Sequence, residues 1–87
     1  KEVLHMIRHI NKGTCSSAVD FEVENGIVTN CRFIGGCDGN TKGVAKLVIG
    51  RPVDEIIHLL DGVDCRGRGT SCPDQLAQAL KEYQQQH

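Results

Sequence analysis

At 87 residues and a net charge of −1, with only Phe21, Phe33 and Tyr83 as aromatics, the chain has room for one domain with a small aliphatic core. A domain of this size buries on the order of 60% of its unfolded surface, so a metal, a disulfide or a partner would add needed stability. The near-neutral charge excludes the strongly basic signature of generic nucleic-acid binding, and no stretch is long and apolar enough to span a bilayer.

Leu4 to Ile10 alternates in part and predicts a first or edge strand, the surface through which a homodimer would form. Asn11 to Thr14 is turn-like and delivers Cys15. From Ala18 to Glu24 the pattern is clean, with Val19, Phe21 and Val23 opposed to Ala18, Asp20, Glu22 and Glu24. That predicts a strand with one apolar and one wet, acidic face. Asn25-Gly26 is the favoured pair for a primed hairpin turn, and Ile27 to Ile34 is the return strand. Its alternate residues Ile27, Thr29, Cys31 and Phe33 are expected on one face, which makes Cys31 a buried core thiol.

The period then changes. Gly35 to Asn40 reads as a glycine-rich loop, followed by a short helix from Thr41 to Ile49 with Val44, Leu47 and Val48 on its apolar stripe. Gly50 stops it, and Arg51-Pro52 opens a second helix whose Val53, Ile56, Ile57 and Leu60 line a core face up to Gly62. The loop Val63 to Gly69 leads to Thr70-Ser71-Cys72-Pro73-Asp74, the start of a last helix with Leu76, Ala79, Leu80 and Tyr83 on one face and a fraying tail from Gln84 to His87. Strands followed by helices predict an α+β fold: a two- to three-stranded antiparallel sheet with three helices packed on one face, in one domain over residues 1–87.

Five cysteines exceed what packing needs, and the odd count argues against a closed disulfide set. With no signal-like segment in Lys1 to Met6, the expected location is the reducing cytoplasm, where clustered thiols bind metal or do redox work. Cys15, Cys37, Cys65 and Cys72 all fall in loops or at a helix start, beside Gly, Ser, Thr and Arg. First-turn N–H groups at Cys72 suit a thiolate, the form that binds metal and attacks electrophiles. There is no C-x-x-C pair, so these thiols meet only through tertiary folding. Converged, four thiolates suit tetrahedral zinc or an iron–sulfur cluster; dispersed, they are ordinary loop thiols, reactive redox thiols or a Cys65–Cys72 disulfide.

Other constellations are weaker. His5, His9, His58 and His87 read as surface residues. Arg66, Arg68, Lys42 and Lys46 read as solvated charges, with a local anion patch as the alternative. The loop from Gly35 to Asn40 lacks the Gly-Lys-Ser/Thr ending of a phosphate cradle.

The chain resembles the TSCPD domain family, named for the motif at Thr70 to Asp74. The resemblance rests also on Gly13-Thr14-Cys15, the run Phe33 to Asn40, Gly43, Leu47, Gly50, Cys65 and Gln75-Leu76-Ala77. That family's domain is found at the C-terminal end of adenosylcobalamin-dependent ribonucleotide reductases, which implies a link to deoxyribonucleotide and DNA synthesis and a protein partner in nucleotide reduction. It does not make this chain the catalyst, since 87 residues cannot hold the reductase barrel. A more distant similarity is to U-type iron–sulfur scaffold proteins, whose three cysteines would correspond to Cys15, Cys37 and Cys72. Where those scaffolds place an acidic ligand and a histidine, this chain has Ser17 and Ser71, and Cys65 is extra.

The resulting expectation is a small accessory module binding one metal ion, zinc before an iron–sulfur cluster, through Cys15, Cys37, Cys65 and Cys72. The alternatives are a thiol redox partner of ribonucleoside-diphosphate reductase, using Cys65 and Cys72, and a nucleotide or nucleic-acid binding module.

Overall fold

A computed structural model describes residues 6–36, 38–67 and 69–86. Leu4 and His5 of the expected first strand, Cys37, Arg68 and His87 lie outside the described residues. The elements run β1 (Ile7–Ile10), β2 (Ser16–Glu24), β3 (Ile27–Gly35), α1 (Asp38–Val48), α2 (Val53–Leu60) and α3 (Cys72–Gln86). The sheet is antiparallel in the order β1-β2-β3. The α+β class and element order expected from the sequence are those observed.

The hairpin turn is as expected, with Asn25 and Gly26 at φ 54° and 78°. The return strand differs in phase. Val23 pairs with Val28 but Glu22 pairs with Asn30, so Thr29 is an extra residue that bulges out of β3. The bulge moves Val28, not Thr29 or Ile27, onto the face that carries Cys31 and Phe33; Val28 and Cys31 are buried and Thr29 is exposed. Strict alternation fails here because one unpaired residue inverts every side chain on one side of it.

The second face of β2 is not wet. Register places Arg8 and Arg32 opposite Asp20 on the flanking strands. Arg8 holds both oxygens of the buried Asp20 carboxylate, Nε to Oδ1 at 2.7 Å and Nη2 to Oδ2 at 2.9 Å, and Arg32 reaches Oδ2 at 3.1 Å. A small three-stranded sheet can bury a central carboxylate this way because long neighbours fold over it. The hydrogen bonds from Arg8 hold the Asp20 carboxyl below its ordinary range; burial opposes them, and Arg32 adds to them.

The core joins Val19, Phe21, Val28 and Cys31 of the sheet to Ala45 and Val48 of α1, Val53 and Ile56 of α2, and Leu76, Ala79 and Leu80 of α3. The expected stripes of α2 and α3 are observed. In α1 the stripe is rotated: Ala45 is buried while Leu47 is 66% exposed. The helix also begins three residues before the expected Thr41, absorbing Asp38-Gly39-Asn40 as its first turn. The outer edge of β3 is partly covered by residues 50–52, with Val28 N–H donating to Arg51 O at 3.0 Å and Gly50 N–H to Val28 O at 2.7 Å.

Asp20→Asn keeps the side chain's size but removes the charge both arginines bind. It is expected to destabilise the domain by about 1–3 kcal/mol at pH 7 in urea denaturation. Because the folded carboxyl titrates below its ordinary value, the Asp20 contribution is complete above about pH 4 and fades as pH falls through the folded value. The gap between wild type and variant should therefore narrow on acidification.

Candidate functional site

The last helix is positioned by polar contacts of its first turn. Ser71 is the N-cap: its Oγ accepts the Asp74 N–H at 3.0 Å and donates to Val63 O at 2.5 Å. The buried Asp74 carboxylate accepts Thr70 Oγ1 at 2.6 Å, Gly62 N–H at 2.7 Å and Gln78 Nε2 at 3.1 Å. Burial alone would raise its pKa, but these bonds outweigh burial and hold the carboxyl below its ordinary range. Gln75 reaches the sheet side. Its Oε1 accepts Lys12 N–H at 3.2 Å and lies 3.0 Å from His9 Nε2, and its Nε2 donates to Thr70 Oγ1 at 2.9 Å. His9 is thus a clasp between β1 and α3, also 3.3 Å from Glu82, and not the surface residue expected from the sequence.

The loop carrying Cys65 is tied at both ends. Cys65 N–H donates to Thr70 O at 3.0 Å, and the Asp64 carboxylate accepts the N–H groups of Gly67 and Gly69. Cys65 is half-buried at the rim of this turn.

Ser16, the first residue of β2, is fully buried between the thiol-bearing segments. Its Oγ lies 2.8 Å from Cys72 Sγ and accepts Asn11 Nδ2 at 2.8 Å. Accepting from Asn11 leaves the Ser16 hydroxyl one lone pair and its own proton, so it donates to the sulfur when Cys72 is a thiolate and accepts from it when Cys72 is a thiol. Gly36, at φ 86°, packs so closely on Ser16 that a Cβ there would stand 3.0 Å from Ser16 Cβ and 3.1 Å from its backbone N. One buried serine therefore adjoins Cys15 in sequence, contacts the glycine preceding Cys37, and touches the Cys72 sulfur.

Cys15, Cys65 and Cys72 line one cavity of about 240 Å³, together with Asn40, Thr41, Val44, Ser71 and Pro73. Three of the four cysteines expected at the site are thus gathered, and the fourth, Cys37, lies outside the described residues. Among the described residues, no three His, Cys, Asp or Glu side chains are already grouped to hold an ion. The thiols border the cavity without converging at its centre, and none of the described cysteines is in a disulfide. Cys31 stands apart in the core, where burial, aided by the charge of Asp20, pushes its thiol up to about 12.

Asn11, Ser16, Asp74 and Gln75 shape this site and were not singled out as site residues from the sequence. A signal existed for the cap, since Ser71-x-x-Asp74 is the capping spacing. None existed for Ser16, whose neighbours are brought to it by folding.

The family model described as TSCPD domain matches residues 1–84. No curated protein and no solved structure matches the chain.

Two outcomes follow from this geometry. Folded protein freed of metal with a chelator and treated with iodoacetamide near pH 8 should be alkylated at exposed Cys15 and spared at Cys31, with Cys31 modified only after urea unfolding, as read by mass spectrometry of peptides. Gly36→Ala should lose about 2–4 kcal/mol in urea denaturation, from backbone strain plus the clash with Ser16. Gly26→Ala, where a Cβ meets open space, should lose only about 1–2 kcal/mol from backbone strain.

Proposed function

The chain belongs to the TSCPD domain family, and from that membership we propose that it is a small metal-binding accessory module holding one zinc ion through Cys15, Cys37, Cys65 and Cys72. The observation that carries this reading is the shared cavity: Cys15 borders the same space as Cys65 and Cys72, which lie 50 or more residues further along the chain. Packing alone gives no reason to bring loop thiols together beside Gly, Ser and Thr.

The donor set fits zinc. Thiolates bind it at about 2.3 Å in a tetrahedron, and three of the four proposed ligands border one cavity. Zinc would supply a fixed cross-link between the sheet and the α3 start. With Cys72 bound as a thiolate, the Ser16 hydroxyl 2.8 Å from its Sγ would donate to it, orienting that sulfur and offsetting part of its charge. Ser17 and Ser71 favour a site that retains its ion. Ser17 Oγ donates to Ile34 O at 3.2 Å and Ser71 is engaged as the helix cap, so neither position offers the carboxylate or imidazole of a cluster-transfer site. An iron–sulfur cluster on the same four thiols is the alternative occupant. Service to a ribonucleotide-reducing enzyme is the setting that the family resemblance suggests for such a module.

Elemental analysis of anaerobically purified protein tests the reading. One zinc per chain is expected, falling sharply in Cys65→Ser and Cys72→Ser and unchanged in Cys31→Ala. Chelation should lower the Tm by roughly 10 °C, reflecting about 2 kcal/mol of linked stability. Protein that neither retains zinc nor takes it up overturns the assignment, and iron with stoichiometric sulfide replaces zinc by the cluster.

A further inference from the structure

The outer edge of β3 is closed over its first part and open beyond it. Residues 50–52 run alongside Ile27 and Val28, then turn into α2. Past the bulge, the later part of β3 becomes one wall of a cavity of about 520 Å³ whose other wall is a stripe of α1. The floor is apolar, from Cys31, Phe33, Ala45 and Ile49, and the rim carries Lys42 and Lys46, one helical turn apart. Arg32 also lines it, but its guanidinium is turned to Asp20 on the other face. Among the described residues no acidic side chain lines this space.

The strand edge here is shaped for pairing. Cys31 N–H bonds the side-chain Oδ1 of Asn30 at 2.9 Å, so this amide points outward from the sheet and is covered by its neighbour's amide oxygen, a bond easily exchanged. Phe33 shares the register phase of Cys31, opposite Val19 as Cys31 is opposite Phe21, so its backbone groups face the same way.

We propose that this groove accepts an extended acidic segment of a partner protein, added to β3 as a fourth strand. Backbone pairing with Cys31–Gly35 provides the register. Alternate apolar side chains of the segment cover Phe33, Ala45 and Ile49, and its carboxylates face Lys42 and Lys46. The continuous strand edge decides for a peptide over a nucleic-acid backbone, which has no use for it. The inference stands apart from the thiol site, since none of its residues is a proposed zinc ligand.

The test is an NMR titration of the ¹⁵N-labelled chain with a capped synthetic hexapeptide alternating glutamate and valine. Saturable amide shifts centred on Cys31–Gly35 and on residues 41–49 are expected. Lys46→Glu should weaken binding severalfold while leaving the Tm within a few degrees, because Lys46 is exposed. A peptide N-methylated at alternate amides should lose binding, as pairing requires. The proposal is overturned by no saturable shift at millimolar peptide, by shifts mapping elsewhere, or by binding indifferent to the charge reversal or to N-methylation. A single-stranded oligodeoxynucleotide that moves the same amides at lower concentration than the peptide overturns it as well.

Discussion

A buried hydroxyl has to be satisfied, and at Ser16 that requirement ties together parts of the chain that are far apart in sequence. Asn11 donates from one side, Cys72 lies on the other, and Gly36 closes over the top with no room for a side chain. These contacts hold only if the hairpin returns β3 to the right height, β1 delivers Asn11, and the first residue of α3, Cys72, comes to lie beside Ser16. An error in any of the three would leave a polar group stranded in the interior, at a cost of about 1–3 kcal/mol. The same closure sets the walls of the cavity that Cys15, Cys65 and Cys72 border.

Two carboxylates play the corresponding part elsewhere. Asp20 binds an arginine from each flanking strand and so links all three strands on the face away from the helices. Asp74 collects donors from Gly62, Thr70 and Gln78 and fixes the loop that carries Cys65 against the start of α3. With few aromatics and a modest aliphatic core, the domain depends on such charge-assisted bonds for specificity of arrangement. The clasp of His9 and Gln75 adds a contact between the opposite ends of the fold, β1 and α3.

The strands, helices and hairpin turn were legible because they rest on local rules: period-two and period-3.6 patterning and Asn-Gly at the turn. The errors share a cause. The Thr29 bulge, the burial of Asp20 and the rotation of α1 that exposes Leu47 all depend on what lies opposite, which a single strand or helix does not encode. Likewise the partial burial of His9 comes from Gln75 and Glu82 of α3, which the pattern of β1 does not encode.

By itself the sequence determined the class of fold, the separation of Cys31 from the loop thiols, and the family, since these follow from residue type, spacing and a compact motif. Only the tertiary structure decided that Cys15, Cys65 and Cys72 border one cavity, that Ser16 and Asn11 stand behind Cys72, and that part of the β3 edge is left open. The physical reason is range. Periodicity and capping act over a few residues, whereas the contact between Ser16 and Cys72 joins β2 to α3 and exists only once the sheet and helices have packed.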